Sequence, residues 1–185
     1  EPGTIHDPYE GFNRQMFAFN TGVDKYALGP AANVYETVTP EFGRDRVGDF
    51  LHNLKSPVIF VNDVLQGEGD RAGDTFARFL VNTTVGVAGL WDVAGYNGLE
   101  KHAEDFGQTL AVWGVDSGPF LVLPLMGPTT PRDLFGAGID RALDPLTWTE
   151  FDNNPDLDDH IAIGRSVLGG LNARVALDDE IKQLN

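Results

Sequence analysis

The chain has 185 residues, 42% of them hydrophobic and 10% aromatic, with a formal net charge of −15 and no cysteine. That length supports one domain with a substantial core, and that composition excludes a disordered chain. The acidic balance excludes the clustered Lys and Arg that nucleic acid or an anionic lipid surface demands, and the lack of Cys excludes disulfides, Cys–metal sites and thiol catalysis.

Acids outnumber bases in both halves of the chain, and Glu150–Asp159 is the densest patch, with five carboxylates and no Lys or Arg. It reads as a solvated surface or as an interface for a basic partner. A chain that opens on Glu1 instead of Met reads as a mature or trimmed form. No run of 18 apolar residues encodes a transmembrane helix.

Helix start signals recur along the chain. Asp7-Pro8-Tyr9-Glu10 combines an acidic N-cap, Pro at the first helical position and Glu three after the cap. Phe12, Met16, Phe19 and Val23 follow at helical spacing, with Phe17 widening the apolar face. Gly29-Pro30 punctuates. Thr39-Pro40 opens a second helix with Val47, Phe50, Leu51 and Leu54 on one face, and Ser56-Pro57 opens a third that Gly67 ends. Asp70 caps a fourth, with Phe76, Phe79 and Leu80 inward and Arg78 outward. Asn82–Gly86 interrupts it, Val87–Ala94 gives another short helical piece, and Gly95–Gly98 is a loop. Asp105 and Gln108 form a capping box for a helix on which Phe106, Leu110 and Trp113 stack and which Gly114 closes. Pro119–Met126 reads as extended, its two prolines limiting it to a bent, edge-like ribbon. Thr130-Pro131 caps a further helix with Leu134 inward. The longest element follows Asn154-Pro155, with Leu157, Ile161, Gly164, Leu168, Leu171 and Val175 along one seam. The pattern predicts an all-α chain with one short extended piece. It also predicts a single domain over 1–185, with 1–6 as a linker remnant and 156–184 as a C-terminal helix.

The motifs that hint at chemistry are incomplete. Asp116-Ser117-Gly118 has neither the upstream His and Asp of a β-barrel protease nor the G-x-S-x-G spacing, so Ser117 reads as a turn residue. His6, His52, His102 and His160 are scattered and read as surface residues. His102-Ala103-Glu104 lacks the cysteines that a zinc deaminase needs. The stretch from Asp152 to Asp156 starts like a calcium loop but has Leu157 and Ile163 where that loop needs Gly and a bidentate Glu. No constellation supports an enzyme, a metal or a cofactor.

One helix is more informative. In Pro57–Gln66, Val58, Ile59, Phe60, Val61, Val64 and Leu65 leave only Asn62, Asp63 and Gln66 polar. Ten residues at ~1.5 Å each reach ~15 Å, about half of a ~30 Å hydrocarbon core. The segment is either a buried core helix or one set in a single leaflet with lipid outside it.

Several stretches together resemble the MlaA (VacJ) family of outer-membrane lipoproteins. They are Gly11-Phe12-Asn13-Arg14 with Met16-Phe17 and Phe19-Asn20 after Asp7-Pro8; Asn53-Leu54, Val61-Asn62 and Leu65-Gln66-Gly67; and Arg78-Phe79-Leu80-Val81-Asn82-Thr83. Gly89–Ala94, Phe106–Leu110, Gly118-Pro119-Phe120, Leu123-Pro124 and Arg132-Asp133 continue the match, which runs over about Asp7–Leu146. The resemblance implies a ring of short amphipathic helices held in the inner leaflet of the outer membrane by a lipid anchor, whose Cys is not in this chain. It implies passage of outer-leaflet phospholipid through an amphipathic channel to the periplasmic carrier MlaC, which keeps the membrane asymmetric, and association with a trimeric porin. An acidic scaffold module without its own channel is the alternative. Under the resemblance, Phe120, Leu121, Val122, Leu123 and Leu125 line or gate the lipid path, rest in lipid, or pack in the core. Phe17, Phe19 and Asn20 form a second candidate gate, Asn20 meeting a headgroup or being satisfied by backbone. The physical need for such a device is plain. Two acyl chains hold about 30 methylenes, and exposing them to water costs on the order of 25 kcal/mol.

Overall fold

The first helical run is longer than its punctuation suggests. In the computed structural model, which describes residues 7–148 and 155–184, α1 (Glu10–Val23) passes through a π-helical turn at Asp24–Leu28 into α2 (Gly29–Val38) without a break. The linker remnant 1–6 and positions 150–154 of the acidic patch, with the start of the calcium-like loop, lie outside the described residues. Gly29-Pro30 therefore does not interrupt the helix. Pro30 has no N–H to give, and the wider turn absorbs the loss by taking the Gly29 N–H back to the Asp24 carbonyl.

The expected second and third helices are one. α3 (Glu41–Gln66) runs for 26 residues, starts at Pro40 as read, and carries Pro57 in its interior. A helix-interior proline costs ~3 kcal/mol in isolation. Here the helices Gly69–Thr84 (α4), Phe106–Val112 (α6) and Pro155–Leu184 (α8) all pack on α3, and their packing outweighs that cost. Gly67 then closes α3 in the left-handed conformation, φ 81°.

α4 (Gly69–Thr84) has Glu68 at its N-cap, and Asp70 lies in its first turn instead of at the cap. The helix continues through Asn82 to Thr84. Val87–Ala94 is not a helical piece: Val87 and Ala88 adopt left-handed backbone, and α5 (Val93–Tyr96) begins only at Val93. α6 (Phe106–Val112) is capped as expected, the Asp105 carboxylate accepting the Gln108 N–H at 2.8 Å, and the Phe106 and Trp113 rings meet edge-on at 5.8 Å. β1 (Leu121–Leu123) and β2 (Gly127–Thr129) form an antiparallel hairpin with Leu121 opposite Thr129 and Leu123 opposite Gly127. α7 (Pro131–Leu143) follows under a Thr130 cap, then a 3₁₀ turn at Pro145–Thr147, and α8 (Pro155–Leu184) closes the chain.

Packed neighbours close into a ring. α1 lies on the hairpin, the hairpin leads into α7, α7 packs on α6, α6 on α3, α3 on α8, and α8 on α2, which is continuous with α1.

The burial pattern of this ring is inverted. The largest fully buried side chains are Asn62, Thr109 and Asp63. The buried apolar set is small: Ala32, Tyr35 and Val175 cluster with Leu171 between α2 and α8, and Val58, Ile59, Ala72, Ala94 and Val122 are buried apart from them. On α4 the expected faces are largely exchanged: Arg78 is 3% exposed beside buried Ala72, Thr75 and Asn82, whereas Phe76 and Leu80 are about half exposed, at 51% and 47%, and Phe79 is half-buried. Leu134 is 39% exposed, and on α8 Leu157, Ile161 and Leu168 are exposed, while Val175 is buried. The inward apolar face inferred for α4 assumes water outside. Here the polar stripe is turned into the ring, where Arg78 pairs with Asp92 while its Nε has no partner among the described residues, and the apolar stripe stays exposed. No helix among the described residues is long and apolar enough to cross a membrane.

Candidate functional site

The hairpin hangs from α1 by two asparagines. Asn13 Nδ2 donates to the Phe120 carbonyl at 3.0 Å, and Asn13 Oδ1 accepts the Val122 N–H at 2.8 Å. Asn20 repeats the pattern one step on: Nδ2 donates to the Leu123 carbonyl at 2.9 Å, and Oδ1 accepts the Leu125 N–H at 2.8 Å. Each amide thus stands in for a neighbouring strand on the open edge of β1. The spacing fits, since seven helix residues rise ~10.5 Å and three strand residues ~10 Å. Asp7 fixes the orientation of the buried Asn13 amide by accepting from its Nδ2 at 2.9 Å. A slip of one strand residue would leave both asparagines without their partners.

Beside the hairpin tip lies a cavity of about 500 Å³. Val58 and Ile59 of α3, Met126 of the hairpin, and Leu134, Ala137 and Gly138 of α7 give it an apolar wall. Its charged lining carries the cations Lys55, Arg141 and Arg165 and the carboxylates Glu104, Asp105, Asp140 and Asp144, and Arg165 is paired with Asp144. Asp140, also in the wall, accepts from Asn62 Nδ2 at 2.9 Å and from the Phe106 N–H, and so ties α3, α6 and α7 together. The lining offers acyl chains one surface and a charged headgroup another.

The interior behind this cavity is a polar lattice. Fully buried Asp63 accepts from Thr75 Oγ1 at 2.6 Å and lies 3.0 Å from His102 Nε2, so His102 is not the surface residue its sequence suggests. Arg78 bridges the Leu99 carbonyl and Asp92, whose carboxylate it meets at 2.7 Å. Burial pushes the Asp92 carboxyl up, but hydrogen bonds from Arg78, Asn82 and the Gly95 N–H outweigh it and bring the pKa down to about 2. His52 is also partly buried; burial first, then the Lys101 and Arg78 cations, push it down to about 4.

These shifts give a pH dependence of stability. His52 stays neutral in the folded chain while the unfolded chain takes up a proton below its ordinary 6.5. Stability is therefore complete above about pH 6.5 and declines as pH falls to about 4, by about 2 kcal/mol after allowing for solvent access. Asp92 adds a second decline below about pH 4. Denaturant unfolding of His52→Phe between pH 7 and 4 is expected to show a flatter profile than the parent; an unchanged slope would contradict it.

The structure distributes the residues singled out from the sequence as follows. Phe17, Phe19, Phe120 and Leu125 are exposed, Leu121 and Leu123 are half-buried, Val122 is buried, and both polar atoms of Asn20 are occupied by hairpin backbone. Val58 and Ile59 face the cavity, Phe60 and Val61 are half-buried, and Val64 and Leu65 are exposed. Phe60 meets Phe76 of α4 at 5.9 Å. Ser117 sits in a turn closed by the Gly118 N–H on Asp116, its hydroxyl directed at the Gly118 carbonyl. Asn13 and the cavity wall on α7 and α8 were not singled out. Two asparagines seven residues apart on an apolar helix are the signal that could have revealed the clamp.

Exposed aromatic and aliphatic side chains, a polar interior and an amphipathic cavity beside a strapped hairpin define a ring-shaped helical protein with large apolar patches on its surface. The MlaA lipoprotein family matches residues 5–185. The chain is 39% identical over 140 residues to the intermembrane phospholipid transport system lipoprotein MlaA of Haemophilus influenzae, covering 74% of this chain and 56% of that protein. It is 34% identical over 177 residues to the Shigella flexneri protein of the same name, covering 94% and 67%. An uncharacterised protein of Rickettsia felis is 44% identical over 152 residues, covering 80% of this chain and 61% of its own length. A solved chain from work on the structural basis for maintenance of bacterial outer membrane lipid asymmetry superposes with a TM-score of 0.82 at 36% identity, covering 97% of this chain and 88% of that one. The chain belongs to the MlaA lipoprotein family. It spans about three fifths of the length of the Rickettsia felis relative.

Proposed function

We propose that this chain sits in the inner leaflet of an outer membrane and passes phospholipid through its ring toward a periplasmic carrier of the MlaC kind, so keeping the two leaflets unlike. The observation that carries this is the inverted burial around a mixed cavity: Asn62, Asp63 and Arg78 inside, Phe17, Phe76 and Leu80 outside, and a space of about 500 Å³ with an apolar wall and a wall of mixed charge. In water, such an exterior is an aggregation liability; in a leaflet it is the favourable surface. The work is transfer without bond chemistry, so it calls for no catalytic group or cofactor. The acid-rich parts of the chain face the periplasm, where a soluble carrier takes the lipid. The apolar exterior also leaves room for a porin neighbour, and a lipid anchor joined ahead of Glu1 holds the ring at its depth.

The protein carries its own depth probes. Trp91, Trp113 and Trp148 are 39%, 53% and 73% exposed. In proteoliposomes containing phospholipids brominated along their acyl chains, at least half of the tryptophan emission is expected to be quenched. Full quenching by aqueous acrylamide with none by bromolipid would place the chain outside the leaflet and favour the scaffold alternative.

A further inference from the structure

α1 and α2 are one continuous helical run held by different partners. α2 is fixed to α8 through Ala32, Tyr35 and Val175, with the Tyr35 hydroxyl 3.2 Å from Asn172 Oδ1. α1 holds the hairpin through Asn13 and Asn20. Between them the π-helical turn accommodates one residue more than an α-helix would. One α-helical residue corresponds to roughly 100° of rotation and ~1.5 Å of rise. Expelling the extra residue would therefore turn α1 by roughly 100° against α2. Arg14 and Thr21 would then stand where Asn13 and Asn20 stand now. Neither offers a donor and an acceptor on one planar group, so the hairpin would lose both of its supports together.

Three features keep the extra residue in place. Gly29 brings its N–H onto the Asp24 carbonyl, and a Cβ there would come within 3.0 Å of that oxygen. Pro30 cannot supply the N–H that a regular turn would require. The Asp24 carboxylate is gripped from two sides by Arg174 of α8, Nε to Oδ1 at 2.8 Å and Nη2 to Oδ2 at 3.2 Å, and Asp178 holds the same guanidinium. The hydrogen bond from Arg174 holds the Asp24 carboxyl below its ordinary range.

We propose that Arg174 is a positioning residue: through Asp24 it holds the π-helical turn and so sets the rotation at which α1 presents Asn13 and Asn20 to the hairpin. The inference rests on the reading of the hairpin as a wall of the lipid path. It makes α8 and the hairpin, which lie on different partners, parts of one mechanical unit.

These 185 residues carry no cysteine, which leaves introduced thiols free for labelling. Nitroxides at Ala18→Cys on α1 and Ala162→Cys on α8 report the rotation as a distance by pulsed electron paramagnetic resonance on the full chain in nanodiscs. Arg174→Met is expected to shift that distance, or add a second population shifted, by up to about 8 Å, the chord of that turn at the ~5.5 Å radius of a helix with its side chains. Deleting Ala27 removes the surplus residue and leaves a regular helix at the original rotation, so the distance stays. In the Ala27 deletion, Arg174→Met then has nothing to expel and moves nothing. A shift of equal size in both backgrounds, or in neither, overturns the proposal. Phospholipid transfer by the same four proteins reports separately: the expected distances with equal transfer throughout retain the rotation lock and overturn the hairpin's part in lipid passage.

Discussion

Asn13→Ala is expected to release the hairpin while leaving the helical ring folded. The substitution strips the Val122 N–H and the Phe120 carbonyl of their partner at a site where Asn13 is 4% and Val122 3% exposed. Each unsatisfied buried group costs about 1–3 kcal/mol, and the Phe120 carbonyl, on a half-exposed residue, falls at the low end, so the local cost is about 2–4 kcal/mol. A two-stranded hairpin has no independent stability to oppose that loss. Hydrogen exchange at the Val122 amide should therefore accelerate by about 30- to 1000-fold, with amides of α3 and α4 unchanged. The isosteric Asn13→Asp should be no better. Its carboxylate still accepts from Val122 but cannot donate to Phe120, and it faces the Asp7 carboxylate across 2.9 Å. Equal exchange in parent, Ala and Asp forms would show that the amide is not the support.

The second large effect is expected from filling the cavity. Gly138 lies on α7 in the cavity wall, and a Cβ added there meets nothing within 4 Å. Gly138→Trp places an indole in the space while removing a helix-interior glycine, which favours α7 by a few tenths of a kcal/mol. Phospholipid transfer from donor proteoliposomes is expected to fall at least tenfold with unfolding stability retained, whereas Gly138→Ala, which leaves the space open, transfers normally. Normal transfer by a stable Gly138→Trp protein would mean that lipid takes another route.

Much of this architecture can be read from the residues, and the failures have separate causes. The helix signals at Thr39-Pro40, Asp105 and Thr130 stand where the helices begin, and the two prolines around Phe120–Leu123 mark the hairpin. On α4 the period is right and its direction is reversed. Ala72, Thr75, Arg78 and Asn82 form the inner stripe, because the surroundings, not the sequence, decide which face of an amphipathic helix is sheltered. Local rules fail at Pro30 and Pro57 for a different reason. There a π-helical turn and the packing of three neighbouring helices override a breaker. The cavity draws on α3, the hairpin tip, α7 and α8 at once, so no window of sequence contains it.

The most direct measurement places a benzophenone amino acid at Met126, on the hairpin tip inside the cavity, in cells whose phospholipids carry a radioactive phosphate. Illumination is expected to attach labelled phospholipid at this position, and Gly138→Trp is expected to abolish the attachment while leaving capture at outward-facing Phe76 intact. Lipid captured at Phe76 and never at Met126, or captured at Met126 equally well with the indole in place, would contradict a lipid path through the ring.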